Sequence, residues 1–142
     1  MQGLTREELE VVIDQRAARG FFKIEELRDR YARVRFLTDE QHLRPGGTVS
    51  GPALMRLTDA ATYFAILAQV GPVFDAVTSN LNISFLRRPK PVDVIAEVNL
   101  IKLGKRLVFA EVKLFSEGDE EPVAFATCTY ALPLNKPKQT SA

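Results

Sequence analysis

The segment spanning residues 52–70 limits the possible folds more than any other part of this sequence. Drawn as a helix, it is apolar on nearly every side. Pro52 suits its first turn, where a missing N–H is not needed. Two charged residues, Arg56 and Asp59, interrupt it, so it does not fit a membrane span. Such a helix must be buried on most sides by the rest of the chain, through residues that include Leu54, Leu57, Ala60, Ala61, Phe64, Ile66 and Leu67.

Most of the remaining chain shows the alternating pattern of β-strands. One such segment, 30–37, precedes the long helix, and everything after the helix up to residue 132 follows the same pattern. Short turns at 103–105 and 117–119 join consecutive strands, which must therefore be antiparallel. We expect an α+β fold in which one antiparallel sheet curls around the helix, with later strands at 76–87, 92–102, 106–115 and 123–132.

The N-terminal region predicts a shorter helix. Thr5 and Glu8 have the spacing of a capping box, and Gly20 would end the helix. The following segment, 21–27, fits neither a helix nor a strand clearly, and its structure is left open.

Length and composition exclude several classes of protein. The chain has 142 residues, 46% of them apolar, so we expect one domain over residues 1–134 and a mobile polar tail over 135–142. One histidine and one cysteine exclude a metal site built from several such ligands, and a net charge of +1 argues against nucleic-acid binding. No targeting or membrane segment is recognisable, so a cytoplasmic protein is expected.

Asp59 is the most informative residue for function. A carboxylate in an apolar helix costs several kcal/mol unless it is paired or hydrogen-bonded. It is therefore a candidate for catalysis. The alternative is a structural carboxylate at the helix edge, bonded to a loop or to Arg56.

Two further features are candidate anion sites. Gly51 stands at the start of the long helix, where free backbone N–H groups can hold an anion or an oxyanion, although Ser50 could simply cap the helix instead. Arg87, Arg88 and Lys90 follow a predicted strand and could bind phosphates, or form a solvated sheet edge.

These features together resemble a known family. The run from Gly47 to Gly51, then Leu57 and Asp59, and the run 82–87 are similar to hotdog-fold acyl-CoA thioesterases, most of all to the phenylacetate-degradation branch. The resemblance covers roughly residues 30–132. It implies a hotdog fold, a homodimer or a homotetramer made of two dimers, active sites between subunits, and a CoA thioester as substrate with no cofactor or metal.

The resemblance also implies roles for individual residues. Asp59 would act as general base or nucleophile, and the Gly51 N–H would stabilise the oxyanion. Thr78, on the polar face of its strand with Asn80, would reach across from the facing subunit to position the water or the thioester. Asn80 and Tyr63 would contact the substrate, and the CoA phosphates would be bound by Arg87, Arg88 and Lys90.

Two positions depart from the family pattern. Ser50 stands where the family has a histidine, and Arg44 stands where it has an asparagine. Ser50 could still donate a hydrogen bond, and Arg44 could reach a phosphate.

Two alternative functions follow from these departures. One is a non-catalytic acyl-CoA-binding protein. The other is a hotdog dehydratase, which would depend on His42, the one histidine; if it has no such role, His42 is expected to be a solvated loop residue. The thioesterase hypothesis expects Asp59 and Gly51 to open into one cleft.

Overall fold

A computed structural model describes residues 3–15 and 21–133. Two α-helices and six strands account for most of this part of the chain. The predicted helix end at Gly20 and the predicted mobile tail lie outside the described residues. The elements in chain order are α1 (Arg6–Gln15), β1 (Phe22–Arg28), β2 (Tyr31–Phe36), a 3-10 turn (Glu40–His42), α2 (Gly51–Val70), β3 (Val77–Phe85), β4 (Val94–Leu103), β5 (Leu107–Ser116) and β6 (Ala124–Ala131).

The six strands form one antiparallel sheet in the order β1-β2-β4-β5-β6-β3. The sheet curls around α2, which contributes Leu57, Ala61 and Ile66 to the core with no exposed surface. The inner face of the sheet supplies small and branched residues that pack against the helix, among them Val34, Ala96, Val98, Ala110, Val112 and Ala126. The predicted α+β hotdog fold is therefore confirmed.

The segment left open by the sequence is strand β1. It pairs with β2 from Phe22 opposite Phe36 to Arg28 opposite Tyr31. The register shifts between Ile24 and Glu26, so Glu25 is an extra residue that interrupts the two-residue alternation. The bulge hides the strand pattern.

A second bulge, in β3, changes which residues share a face. The register shifts between Thr78 and Asn80, so Thr78 lies opposite Tyr130 while Asn80 lies opposite Thr129. Adjacent positions on β6 face opposite sides of the sheet. Thr78 therefore faces α2 and Asn80 faces away from it, and the expectation that they share the polar face is wrong.

Strand β3 is an edge strand of this sheet, and its side chains are largely exposed. They include Val77 at its start, 59% exposed, and Phe85 at its end, 53% exposed. An edge strand presents unpaired N–H and C=O groups and can template pairing with another strand.

His42 is buried, 7% exposed, and is not the solvated loop residue that the sequence suggested. Its Nδ1 accepts a hydrogen bond from the Asp39 N–H at 2.9 Å, and its ring contacts Phe21 and Phe36. Its carbonyl accepts from the Ser50 N–H at 2.8 Å. His42 therefore ties the loop after β2 to the start of α2.

Burial makes His42 a source of pH-dependent stability. Loss of hydration lowers the pKa of His42, assisted by the charge of Arg56 and opposed by that of Asp39. The unfolded chain therefore takes up a proton that the folded chain resists, so stability is lost as pH falls below the ordinary histidine pKa of about 6.5. We expect the free energy of unfolding, measured in urea, to fall with a slope of at most about 1.4 kcal/mol per pH unit for this proton.

His42→Asn is the matched variant for this measurement, since its side-chain oxygen can still accept from the Asp39 N–H. We expect it to flatten the pH dependence between about pH 5 and 7. Glu25 acts in a different range: its bonds to Arg35 and Arg33 outweigh burial and lower its pKa below 4.5. An unchanged slope in His42→Asn would contradict the assignment.

Candidate active site

The start of α2 leaves one backbone donor free. Ser50 caps the helix, since its hydroxyl oxygen accepts from the Ala53 N–H at 3.2 Å and its carbonyl accepts from the Leu54 N–H at 3.2 Å. Pro52 has no N–H. Within the described residues, nothing accepts a hydrogen bond from the Gly51 N–H. The first turn thus offers a single donor, at Gly51, to a ligand.

A tight loop leads into this helix start. The Arg44 N–H donates to the Thr48 carbonyl and the Gly47 N–H to the Arg44 carbonyl, both at 2.8 Å. Gly47 has a φ of +84°, a conformation that favours glycine. A Cβ on Gly51 would lie 3.5 Å from the Phe85 ring, so the end of β3 packs against the helix start.

An open cleft of about 690 Å³ lies at this end of α2. Three arginines, Arg44, Arg87 and Arg88, line it together with Gly51. Arg87 is paired with Glu121 at 2.7 Å, whereas Arg44 and Arg88 form no ion pair with any described residue. Lys90 does not line the cleft, and its ammonium is paired with Asp119 at 2.8 Å. The described residues thus bring three of the four predicted cations to the cleft.

Asp59 is held by two strand residues. The Thr78 hydroxyl donates to its Oδ1 at 2.5 Å, and the Tyr130 hydroxyl donates to the same oxygen at 2.9 Å. Asp59 forms no salt bridge with any described residue, so neither the loop bond nor the Arg56 pair considered from the sequence is observed. Thr78 reaches Asp59 of its own chain.

Tyr130 remains a hydrogen-bond donor over the ordinary pH range. It is 3% exposed, and burial raises its pKa strongly, with the charge of Asp59 acting in the same direction. The phenol therefore keeps its proton beside the carboxylate. Nothing in the sequence marked Tyr130 as a site residue, because its contact with Asp59 depends on how β6 packs against α2.

Asp59 opens into a second cavity of about 270 Å³. Its walls are mainly apolar and aromatic, and among the described residues Arg56 is the one other charged side chain that lines it. Tyr63 lines this cavity as well, with its ring stacked on Tyr130 at 6.0 Å and its hydroxyl donating to the Phe74 carbonyl. Its further walls are Ile13, Phe22, Ala60, Phe64 and Tyr130.

The expectation that Asp59 and Gly51 share one cleft is wrong within a single chain. Gly51 lines the larger cavity and Asp59 the smaller one, and His42 lines neither. The physical reason is the helix itself. Eight residues of α-helix advance about 12 Å along the axis and turn by about 80°.

Comparison with known proteins identifies the family. The model of the thioesterase superfamily matches residues 46–123, from the loop before α2 to the residue that precedes β6. The chain belongs to the thioesterase superfamily. This thioesterase is thus a thioester hydrolase, as the sequence resemblance implied. Within the described residues, no helix is both long and apolar enough to cross a bilayer, and no cluster of three metal-ligating side chains occurs.

Individual relatives agree with this assignment. A Silicibacter protein provisionally called a thioesterase is 36% identical, with 94% of each chain covered and a TM-score of 0.84. A Saccharolobus solfataricus protein provisionally named an esterase is 30% identical over 110 residues, 78% of this chain and 72% of that protein. The phenylacetic acid degradation protein PaaI of Thermus thermophilus is 27% identical, covering 80% of this chain and 94% of that one, with a TM-score of 0.68. The resemblance to the phenylacetate-degradation branch is confirmed.

Proposed function

We propose that this thioesterase hydrolyses acyl-CoA thioesters, with the Gly51 N–H as oxyanion donor and Asp59 as general base or nucleophile. The observation that carries the proposal is the composition of the larger cleft. It places the one free N–H of α2 beside Arg44 and Arg88, two cations without acidic partners among the described residues. A carbonyl oxygen and a polyphosphate are the two acceptors that such a cleft fits.

We further propose that the active site is completed by a second copy of the chain. The Gly51 end of α2 lies beside Phe85, at the end of β3, while Asp59 is bonded to Thr78, near its beginning. A two-fold axis through the middle of β3 pairs this exposed edge with its copy in antiparallel orientation. It carries the Gly51 end of one subunit toward the Asp59 end of the other, giving two equivalent sites per dimer.

In this arrangement the reaction needs only the thioester, water and these residues, without a cofactor. The thioester carbonyl oxygen accepts from the Gly51 N–H, which stabilises the charge that develops on it. The partner's Asp59 either takes a proton from an attacking water or attacks the carbonyl carbon itself, giving an anhydride that water then cleaves. The C–S bond breaks in either route. The thiolate takes up a proton, and a carboxylic acid and free CoA leave.

The cations of the cleft are assigned to the phosphates of CoA. Arg44 and Arg88 have no competing carboxylate among the described residues, so both positive charges are available to bind a phosphate. Arg87 shares the cleft but is paired with Glu121, an exposed pair of the kind that contributes at most about 1 kcal/mol. Lys90, held by Asp119 outside the cleft, contributes least.

A screen for release of free CoA from short, medium, long and aryl thioesters tests this function. We expect hydrolysis by the wild-type chain. We expect Arg44→Glu combined with Arg88→Glu to raise KM at least tenfold, since a hydrogen bond to a charged group contributes about 1.5–3 kcal/mol. N-acetylcysteamine thioesters, which lack the phosphates, should be hydrolysed equally well by both proteins.

Lys105→Glu serves as the matched control, since it reverses a charge in the turn between β4 and β5, away from the cleft. An equal loss on CoA and N-acetylcysteamine substrates in the arginine variant would contradict the assignment of phosphates to Arg44 and Arg88. Tight binding of CoA thioesters without release of CoA would instead support the non-catalytic alternative, which the departures at Ser50 and Arg44 raise.

A further inference from the structure

We propose that Tyr130 is a positioning residue that anchors Oδ1 of Asp59 and leaves Oδ2 as the oxygen that meets the water or the thioester. The inference rests on the proposed function, because it assigns a task to the carboxylate proposed to act there. It adds a residue of β6 that acts by orienting Asp59.

The hydrogen bonds around Asp59 are asymmetric. The phenol hydroxyl of Tyr130 lies 2.9 Å from Oδ1 and 3.1 Å from the Asp59 carbonyl oxygen, so Oδ1 is its nearer and charged acceptor. Thr78 donates to Oδ1 as well. No described residue donates to Oδ2. The two oxygens of one carboxylate are therefore chemically distinct in the folded chain.

The phenol is itself held in place. Its ring is buried and stacks on the ring of Tyr63, with 6.0 Å between centroids and an angle of 29°. Tyr63 is anchored in turn through its hydroxyl, which donates to the Phe74 carbonyl at 2.9 Å. A rigid donor fixes the plane of the carboxylate at low entropic cost, and catalytic groups work best when their orientation is set in advance.

The test compares Tyr130→Phe with Tyr31→Phe, a control on β2 whose ring stacks on Arg28 and which lies outside both cavities. We expect Tyr130→Phe to lower kcat about tenfold to hundredfold and to change KM less than twofold, with the melting temperature recorded in parallel. Tyr31→Phe should match the wild type. Thr78→Val removes the other donor to Oδ1 and should likewise lower kcat while leaving KM nearly unchanged, which keeps the anchoring testable if Tyr130→Phe does not fold.

Two results would overturn the proposal. In one, Tyr130→Phe keeps the wild-type kcat. In the other, kcat falls together with the melting temperature and KM rises by a similar factor, which indicates a structural role alone. Asp59→Asn in the same assay separates this inference from the proposed function. If Asp59→Asn is inactive and Tyr130→Phe is unaffected, only the inference about Tyr130 fails; if Asp59→Asn is fully active, the proposed function fails.

Discussion

We expect Asp59→Asn to lower kcat for CoA thioesters by about 100- to 10,000-fold, the range that a general acid or base contributes. The amide has the size of the carboxylate, and its carbonyl oxygen can still accept from Thr78 and Tyr130, so the fold is retained. The amide can neither accept a proton from water nor attack a carbonyl carbon. The loss is measured as release of free CoA, with the melting temperature recorded in parallel.

Asp75→Asn is the control, because Asp75 is an exposed carboxylate between α2 and β3 that lines neither cavity. Full activity in Asp59→Asn would remove the carboxylate from the mechanism. A single turnover of the wild type in ¹⁸O-water tests the nucleophilic role. Label recovered in the Asp59 carboxyl reveals an anhydride that water opens at the Asp59 carbon, a result that direct attack of water on the thioester does not give.

Mixing two inactive chains restores activity if the site is shared between subunits. Gly51→Val fills the approach to the Gly51 N–H, and we expect it to lower kcat/KM by about 100-fold or more, as loss of an oxyanion donor does. In a mixed dimer, an Asp59→Asn chain supplies an intact Gly51 and a Gly51→Val chain supplies an intact Asp59. One of the two sites is then complete, so unfolding and refolding an equimolar mixture should recover about one quarter of wild-type activity.

Each variant refolded by itself is the control for this experiment and should stay inactive. A site contained within a single chain predicts no recovery, since no chain in the mixture has both residues. Light scattering on the same samples checks that dimers have formed. Recovery of dimers without recovery of activity would therefore contradict the shared site while leaving the oligomer intact.

The long helix and the later strands could be predicted from the sequence because their patterns are local. The predicted helix over 52–70 corresponds to Gly51–Val70, and four predicted strands after it correspond to β3 through β6. Their short turns required an antiparallel arrangement, and a helix apolar on most sides required a sheet to cover it. Periodicity and turn length sufficed for this part of the fold.

Local sequence patterns could not predict the bulges or the long-range contacts. A bulge at Glu25 concealed β1, and another in β3 moved Thr78 to the helix side. Each shifts side chains by one position, which a two-residue period cannot show. The bond from Tyr130 to Asp59 joins residues 71 positions apart, and it follows only once β6 is placed against α2.

The proline after Gly51 has a consequence for selectivity. Pro52 has no N–H, and Ser50 accepts hydrogen bonds from the N–H groups of the next two residues, so a carbonyl bound at Gly51 would be held by one hydrogen bond and could rotate about it. In the proposed acyl-CoA complex, the orientation of the carbonyl would then be set by the nucleotide on one side and the acyl group on the other. Compounds trimmed at either end should consequently lose turnover rate as well as affinity.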